Sequence, residues 1–179
     1  MEAERLIFGN GSDEVFSLLN QTYLSPGDNI VCGQYAFLAY RISALACGAE
    51  VKLAREPGYR VEIDALLEQV DARTKLVYVS NPSNPTGTWN TADEIRRLHE
   101  ALPAHIILVI DEAYAEYSDL PSALALLPVH ENVVVLRTLS KAHALAAARI
   151  GVAIAVLIGI FFIIAIFYGA ANGARYGSA

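Results

Sequence analysis

Short apolar runs alternate along this chain with longer stretches in which apolar residues recur at helical spacing. The apolar runs predict β-strands at residues 6–8, 29–32, 50–54, 74–80, 106–110 and 133–136. Helical spacing and capping residues predict helices after Ser12 or Asp13, at residues 37–47 and 63–68, after Thr91 and, as a short piece, at 123–127. Three strands are almost wholly apolar, as strands covered on both faces are. We therefore predict an α/β fold, a three-layer α/β/α sandwich with a mostly parallel sheet.

Polar side chains follow three of the predicted strands at the point where each strand ends. Asn84 comes after one strand, Asp111 and Tyr114 after the next, and Ser140 and Lys141 after the third. Ligands of parallel sheets bind beyond the carboxyl ends of the strands. A single site assembled from several strand ends therefore explains all of these motifs. Coincidence could account for any one of them but poorly explains the whole set.

The start of the first predicted helix adds an anion-binding feature. Gly11 and Ser12 bring unpaired backbone amides to a helix N-terminus, where negative charge is stabilised. Thr138, Ser140 and Arg149 could bind the same anion from the far end of the chain. Taken alone, Arg149 could equally pair with a surface carboxylate. Together these groups predict a phosphate site.

Lys141 is the candidate nucleophile. Burial at the end of a strand would favour its neutral amine, which can add to a carbonyl group. Asp111 could keep a ring nitrogen protonated, and Asn84 and Tyr114 could hydrogen-bond to a ring oxygen. A lysine that forms an imine and an acidic partner are what pyridoxal 5'-phosphate requires of a protein. Singly, each residue has a simpler explanation: a surface lysine, a helix cap and a packed aromatic side chain.

Composition narrows the class of protein. The chain has 179 residues, enough for one domain with a core, and its net charge of −6 argues against a nucleic-acid partner. Cys32 and Cys47 are isolated and the four histidines lack ligand spacing, so we predict no metal site. Reduced thiols and an N-terminus without a signal-peptide pattern predict a cytoplasmic protein.

Three of these motifs carry a family resemblance. Residues 81–87 (NPSNPTG), 111–114 (DEAY) and 137–141 (RTLSK) resemble the signature motifs of fold-type I aminotransferases. More narrowly, they resemble the histidinol-phosphate aminotransferase family, as do residues 9–14 and 34–37. The resemblance extends from about residue 6 to about residue 155. It implies the large domain of a pyridoxal-phosphate-dependent enzyme.

The resemblance also implies a role for each site residue. Lys141 would form the imine and move protons, and Asp111 would pair with the pyridine nitrogen. Asn84 and Tyr114 would bind the phenolic oxygen, so that Lys141, Asp111 and Tyr114 form the catalytic set. Phe37 would stack on the ring, with Tyr35 as the second choice. The phosphate would be held by Gly11, Ser12, Thr138, Ser140 and Arg149.

The implied reaction transfers an amino group between an amino substrate, histidinol phosphate or a related amino acid, and a 2-oxo acid, in histidine biosynthesis. The resemblance also implies a homodimer for the complete enzyme. This sequence resembles about half of such an enzyme, so residues 1–155 are expected to be a partial large domain, truncated at both ends. The alternative is a remnant without catalytic activity that binds the cofactor or nothing.

The end of the chain departs from the family pattern. Residues 150–171 are uncharged and almost wholly apolar, longer than the roughly 20 residues that span a bilayer. Three explanations stay open for the segment 156–179: a membrane anchor, a segment buried in a partner subunit, or the translated product of a frame-shifted gene. The third is favoured, because the family pattern stops where the composition changes. A membrane-associated protein is therefore the alternative to a cytoplasmic one.

Overall fold

A single mixed β-sheet organises the chain. The computed structural model describes residues 5–127 and 132–155, and within them seven strands lie in the order β1-β7-β6-β5-β4-β2-β3. The strands are β1 (Leu6–Asn10), β2 (Asn29–Gly33), β3 (Glu50–Ala54), β4 (Thr74–Ser80), β5 (Ile107–Asp111), β6 (Val133–Thr138) and β7 (Ile150–Ala155). The α-helices are α1 (Ser12–Tyr23), α2 (Leu38–Ala46), α3 (Ile63–Gln69) and α4 (Ala92–Ala101).

Strand β7 gives the sheet its mixed character. It pairs antiparallel with β1 on one side and with β6 on the other, whereas β3, β2, β4, β5 and β6 pair in parallel. The mostly parallel sheet predicted from the apolar runs is thus confirmed. Because β7 lies between β1 and β6, the two ends of the described chain meet in neighbouring strands.

Helices cover the sheet on both faces, as predicted. Along β2, Ile30 and Cys32 point to one face and pack with residues of α1 and α2, while Val31 between them packs with α3 and α4 on the other. This alternation follows from the two-residue period of a strand. The three-layer α/β/α prediction is confirmed.

Some element boundaries differ from the prediction. Helix α1 is capped by Gly11, with a φ of 75°, and not by Ser12 or Asp13. Glycine adopts this left-handed conformation at little cost, which leaves Ser12 as the first helical residue. Thr91 does cap α4: its hydroxyl accepts from the Glu94 amide, and the Glu94 carboxylate accepts from the Thr91 amide.

The predicted apolar tail begins inside the sheet. Residues 150–155 form strand β7, in agreement with the strand that the family resemblance implies for residues 149–155 after the lysine loop, so these six positions are not part of a membrane-spanning helix. The rest of the apolar stretch, and the whole segment 156–179 with its three explanations, lies outside the described residues. Among the described helices, each is too short or too polar to cross a bilayer.

Candidate active site

One narrow cavity, of about 80 Å³, lies where the carboxyl ends of β4, β5 and β6 meet the start of α1. All ten site residues predicted from the sequence line it, together with Asp13 and Ala113: Gly11, Ser12, Phe37, Asn84, Asp111, Tyr114, Thr138, Ser140, Lys141 and Arg149. Five separate segments of chain, at residues 11–13, 37, 84, 111–114 and 138–149, therefore contribute to one site, at the sheet edge where parallel strands place ligands.

The predicted anion seat combines residues from both ends of the described chain. The Arg149 guanidinium donates to the carbonyl of Asn10 (3.0 Å) and lies 3.4 Å from the Asp13 carboxylate. The backbone of Arg149 adopts the left-handed conformation, with a φ of 50°. At Gly151 in β7, a Cβ atom would collide with the backbone of Gly11. The side chain missing at Gly151 thus lets α1 begin directly against β7, beside Arg149.

Two hydroxyl groups complete the anion seat. Thr138, the last residue of β6, accepts a hydrogen bond from the Ser140 amide (3.2 Å). The Ser140 Oγ atom is buried and has no hydrogen-bond partner within residues 5–127 and 132–155. A buried hydroxyl without a partner is costly, so a ligand oxygen in this cavity would satisfy it. The donor set of Ser140, Thr138, Arg149 and the α1 amides fits a phosphate group.

Asp111 is the buried acid of the site. It ends β5, and its Oδ1 atom accepts from the Ala113 amide at 3.0 Å. Its Oδ2 atom accepts from the Tyr40 hydroxyl at 2.5 Å. Burial raises the pKa of Asp111 above its ordinary value, whereas the hydrogen bonds from Tyr40 and Ala113 and the charge of Lys141 act to lower it.

Lys141 departs from its expected surroundings. The prediction of a lysine buried at a strand end is wrong, because β6 ends at Thr138 and Lys141 follows in an exposed loop. Its Nζ atom lies 5.3 Å from the centroid of the Tyr114 ring, within the range of a cation–π contact. The amine therefore lies at the rim of the cavity, held over an aromatic face.

Hydrogen bonds within the loop after β4 hold Asn84 in position. The Asn84 amide donates to Ser80 Oγ (3.2 Å), and Ser80 Oγ donates to the Pro82 carbonyl (3.0 Å). The Asn81 side chain accepts from the Asn90 amide (2.8 Å) and donates to the Asn90 carbonyl (3.0 Å). These bonds close the loop on itself and position Asn84 at the cavity.

Of the two aromatic candidates for ring stacking, Phe37 lines the cavity. It packs edge-on against Phe16 and Tyr40, with centroid distances of 6.4 and 5.8 Å. Tyr35 lies elsewhere, 5.3 Å from the ring of Tyr59 in a separate cavity. The choice of Phe37 over Tyr35 thus agrees with its position.

A second, larger cleft adjoins the cavity. It has a volume of about 450 Å³ and shares Asn84 and Tyr114 with the first. Trp89 and Tyr117, both more than half exposed, form its aromatic walls. The sequence does not predict this cleft, because its lining residues come from two loops without a shared motif.

Behind the cavity, a buried ion pair connects the two loops that carry its chemistry. The Glu112 carboxylate accepts from Arg137 Nε (2.8 Å), Ser122 Oγ (2.7 Å) and the Ala123 amide (2.6 Å). Arg137 also donates to the more exposed Glu116, at 2.8 Å. Glu112 follows Asp111, and Arg137 precedes Thr138, so the pair fastens the end of β5 to the end of β6.

The fold and the site define a class. A three-layer domain with one antiparallel strand in its sheet, and with an acid, a lysine and an anion seat at the strand ends, is the large domain of fold-type I aminotransferases. The histidinol-phosphate aminotransferase of Sinorhizobium meliloti, solved in complex with pyridoxal 5'-phosphate, superposes with a TM-score of 0.80 at 26% identity. The match covers 96% of this chain and 52% of that one.

The family follows from the sequence comparisons. The model of the family "Aminotransferase class I and II" matches residues 1–168, and the chain belongs to this family. Histidinol-phosphate aminotransferase 1 of Caulobacter vibrioides is 55% identical over 154 residues, which are 84% of this chain and 43% of the relative. The enzyme of Maricaulis maris is 47% identical, with 42% of its length covered. The chain thus spans less than half the length of these curated relatives.

Proposed function

We propose that this chain provides the cofactor-binding half of a pyridoxal-phosphate-dependent aminotransferase of the histidinol-phosphate type. The observation that carries the proposal is that one cavity brings together Lys141, the buried carboxylate of Asp111 and an anion seat with an unpartnered hydroxyl at Ser140. The relatives named above support the substrate class, because they are histidinol-phosphate aminotransferases. The proposed exchange partner of the amino substrate is a 2-oxo acid.

When bound, pyridoxal 5'-phosphate supplies a carbonyl group for the amine and an electron-withdrawing ring. The chain would hold the phosphate of this group with Arg149, Thr138, Ser140 and the Ser12 amide. The Gly11 amide, predicted to be unpaired, instead donates to the carbonyls of Gly9 and Arg149, each at 2.8 Å. Charge-assisted hydrogen bonds from a guanidinium and from a helix N-terminus are the usual means of binding phosphate. The φ of 75° at Gly11 turns the chain into α1 at this point.

Asp111 would keep a proton on the ring nitrogen. Two of its hydrogen-bonding positions are taken by Tyr40 and Ala113. An ionised carboxylate accepts about four hydrogen bonds, so capacity for a ring N–H remains. Asn84 and Tyr114, on the loops after β4 and β5, would donate to the ring oxygen.

Lys141 would act as nucleophile and then as general base. Its exposed position at the cavity rim gives the amine freedom to bind the cofactor carbonyl and, once displaced by the amino substrate, to take a proton from the α-carbon of that substrate. The adjacent cleft lined by Trp89 and Tyr117 opens beside Tyr114 and would admit substrate from the solvent side.

Two measurements on the purified chain test the proposal. Addition of pyridoxal 5'-phosphate should give a visible absorbance band and, after borohydride reduction, a covalent mass increase on Lys141; Lys141→Ala should abolish both. Lys75→Ala, which removes a lysine at β4, is the matched control and should change neither. Absence of the band in the unchanged chain would reject cofactor binding.

Amino-group transfer from histidinol phosphate to 2-oxoglutarate then separates an enzyme from a remnant. Cofactor binding with product formation supports the aminotransferase, whereas binding without product supports the non-catalytic remnant.

We also propose that a second copy of the chain covers α2. Leu38, Ile42 and Leu45 lie four and three residues apart on this helix, which places them on one face, and each is more than half exposed. An apolar stripe of this kind is typical of an interface. Ile42→Glu should convert a dimer into a monomer in light scattering without lowering the unfolding midpoint; a monomeric parent chain would contradict the proposal.

We place the protein in the cytoplasm. Cys32 is buried and Cys47 half-buried, and both are free thiols, as expected for a protein of a reducing compartment.

A further inference from the structure

Tyr40 is a buried residue in direct contact with Asp111, the acid of the site. It lies on α2 and is fully buried. Its hydroxyl donates to Asp111 Oδ2 at 2.5 Å, shorter than most O–H···O bonds. Tyr40 is not among the residues that line the cavity, so its hydroxyl contacts Asp111 from outside the lining. None of the sequence motifs points to this contact.

The ring of Tyr40 is held firmly in place. It stacks on Tyr78 with centroids 4.7 Å apart and an interplanar angle of 12°, and it packs edge-on against Phe16 at 4.7 Å. The Tyr78 hydroxyl donates in turn to the buried Asn20 side chain at 2.9 Å. The rings of Tyr78 and Phe16 thus hold the hydroxyl of Tyr40 in position on a buried carboxylate.

We propose that Tyr40 is a positioning residue which, through its hydrogen bond, keeps the buried Asp111 ionised and in the orientation that a protonated ring nitrogen requires. This inference rests on the proposed function, because the ring nitrogen belongs to the proposed cofactor. The effect of Tyr40 on the ionisation of Asp111 does not depend on the cofactor.

The physical reason is a conflict between burial and charge. Burial favours the neutral acid, which could not hold a protonated ring nitrogen as an ion pair, and a hydrogen bond donated to the carboxylate favours the charged form. Burial raises the pKa of Tyr40 well above its ordinary value, and the neighbouring charge of Asp111 raises it further. The raised pKa therefore leaves the Tyr40 hydroxyl protonated, and able to donate, at neutral pH.

Other groups also lie close to Asp111, and the variants proposed below leave all of them unchanged. The negative charge of Asp13 on α1 disfavours ionisation of Asp111, whereas the positive charge of Lys141, in the loop after β6, favours it. The Ala113 amide donates to the second carboxylate oxygen, and Tyr114 lines the same cavity. Tyr40 is distinct among these because it is the side-chain hydrogen-bond donor to Asp111 within the described residues.

The chain offers a matched pair of variants. Tyr40→Phe removes the hydroxyl on Asp111, whereas Tyr78→Phe removes a hydroxyl from the stacked neighbour, which is equally buried and bonds to Asn20 instead. Carbon-13 NMR of the carboxyl group, assigned with Asp111→Asn, reports the proton affinity of Asp111 in the chain without cofactor. We expect Tyr40→Phe to increase this affinity about tenfold or more, and Tyr78→Phe to leave it unchanged.

The second readout uses the chain loaded with pyridoxal 5'-phosphate labelled with nitrogen-15 in the ring. We expect Tyr40→Phe to lower the protonated fraction of the ring nitrogen, and Tyr78→Phe to leave it near the parent value. If Tyr40→Phe does not fold, difluorotyrosine incorporated at position 40 keeps the ring and makes the hydroxyl a stronger donor. The proton affinity of Asp111 should then fall.

The outcomes are separable. Equal changes in Tyr40→Phe and Tyr78→Phe, or no change in the proton affinity of Asp111 in either, would overturn the role of Tyr40. A parent chain that does not bind the cofactor would instead overturn the proposed function, and the carboxyl measurement would still decide whether Tyr40 keeps Asp111 ionised.

Discussion

Replacement of Glu112 by glutamine tests how much the ion pair between Glu112 and Arg137 contributes to stability and to the candidate site. The Glu112 side chain is 4% exposed and holds Arg137, Ser122 and the backbone of Ala123 through one carboxylate. Glu116 binds the same Arg137 from a side chain that is 29% exposed. The two glutamates therefore bond to the same guanidinium and differ mainly in burial.

Burial decides the expected magnitudes. Removing one partner of a buried ion pair leaves the other charge uncompensated and costs about 3–5 kcal/mol. Since Arg137 keeps Glu116 as a second partner, we expect Glu112→Gln to lower the free energy of unfolding by about 3 kcal/mol, at the low end of that range. The exposed pair is screened by water, so Glu116→Gln should cost less than about 1 kcal/mol.

Urea unfolding followed by circular dichroism at neutral pH measures both variants against the parent chain. The slope of the transition should be the same in all three, so that the shift of the midpoint reports stability alone. Since Glu112 adjoins Asp111, cofactor affinity of Glu112→Gln should also fall, even under conditions where the variant is fully folded.

Two results would refute this reasoning. Equal losses in Glu112→Gln and Glu116→Gln would mean that burial does not set the energy of the pair. A stability of Glu112→Gln close to the parent value would mean that the amide replaces all three hydrogen bonds of the carboxylate.

Three further predictions follow from the geometry. Gly151→Ala should displace the start of α1, lowering stability by about 1–3 kcal/mol and weakening binding of inorganic phosphate in calorimetry, whereas unchanged binding would contradict the close contact. The hydrogen bonds from Arg60 lower the pKa of Glu94 from 4.5 to about 2. The stability from this pair is therefore present above about pH 4.5 and lost as pH falls toward 2, so the urea midpoint should fall less steeply there in Glu94→Gln than in the parent. Burial raises the pKa of Cys32 to about 12, so a thiol reagent should label Cys47 and spare Cys32 until unfolding; equal rates at both thiols would contradict this.

Much of the fold could be predicted, because the apolar runs in this chain are long and well separated. Strand β4 has the predicted bounds, and the cap of α4 at Thr91 is where the residue pattern placed it. Boundaries near the site were harder to predict. Strands β5 and β6 end at Asp111 and Thr138, beyond the last apolar residue of each, because the backbone of these polar residues still pairs with a neighbouring strand while their side chains line the cavity.

The site could be predicted as a set of residues but not as an arrangement. Motifs after strand ends predicted the lining of the cavity, since the fold brings those ends together. The exposure of Lys141 could not be read from its position after an apolar strand, because it depends on where the chain leaves the sheet. Tyr40 was missed because a tyrosine on an amphipathic helix has no local signal for a partner 71 residues away.

The position of β7 has a consequence for biosynthesis. During synthesis the first strand leaves the ribosome early, yet its neighbour in the sheet is not made until residues 150–155 emerge. Until then β1 lacks the strand that pairs with it and the start of α1 lacks its contact with Gly151, although Lys141 and Asp111 have already been translated. Nascent chains stopped before β7 should therefore be handled by chaperones as incomplete, and a gene that keeps every reactive side chain but loses this one strand would yield no place for phosphate.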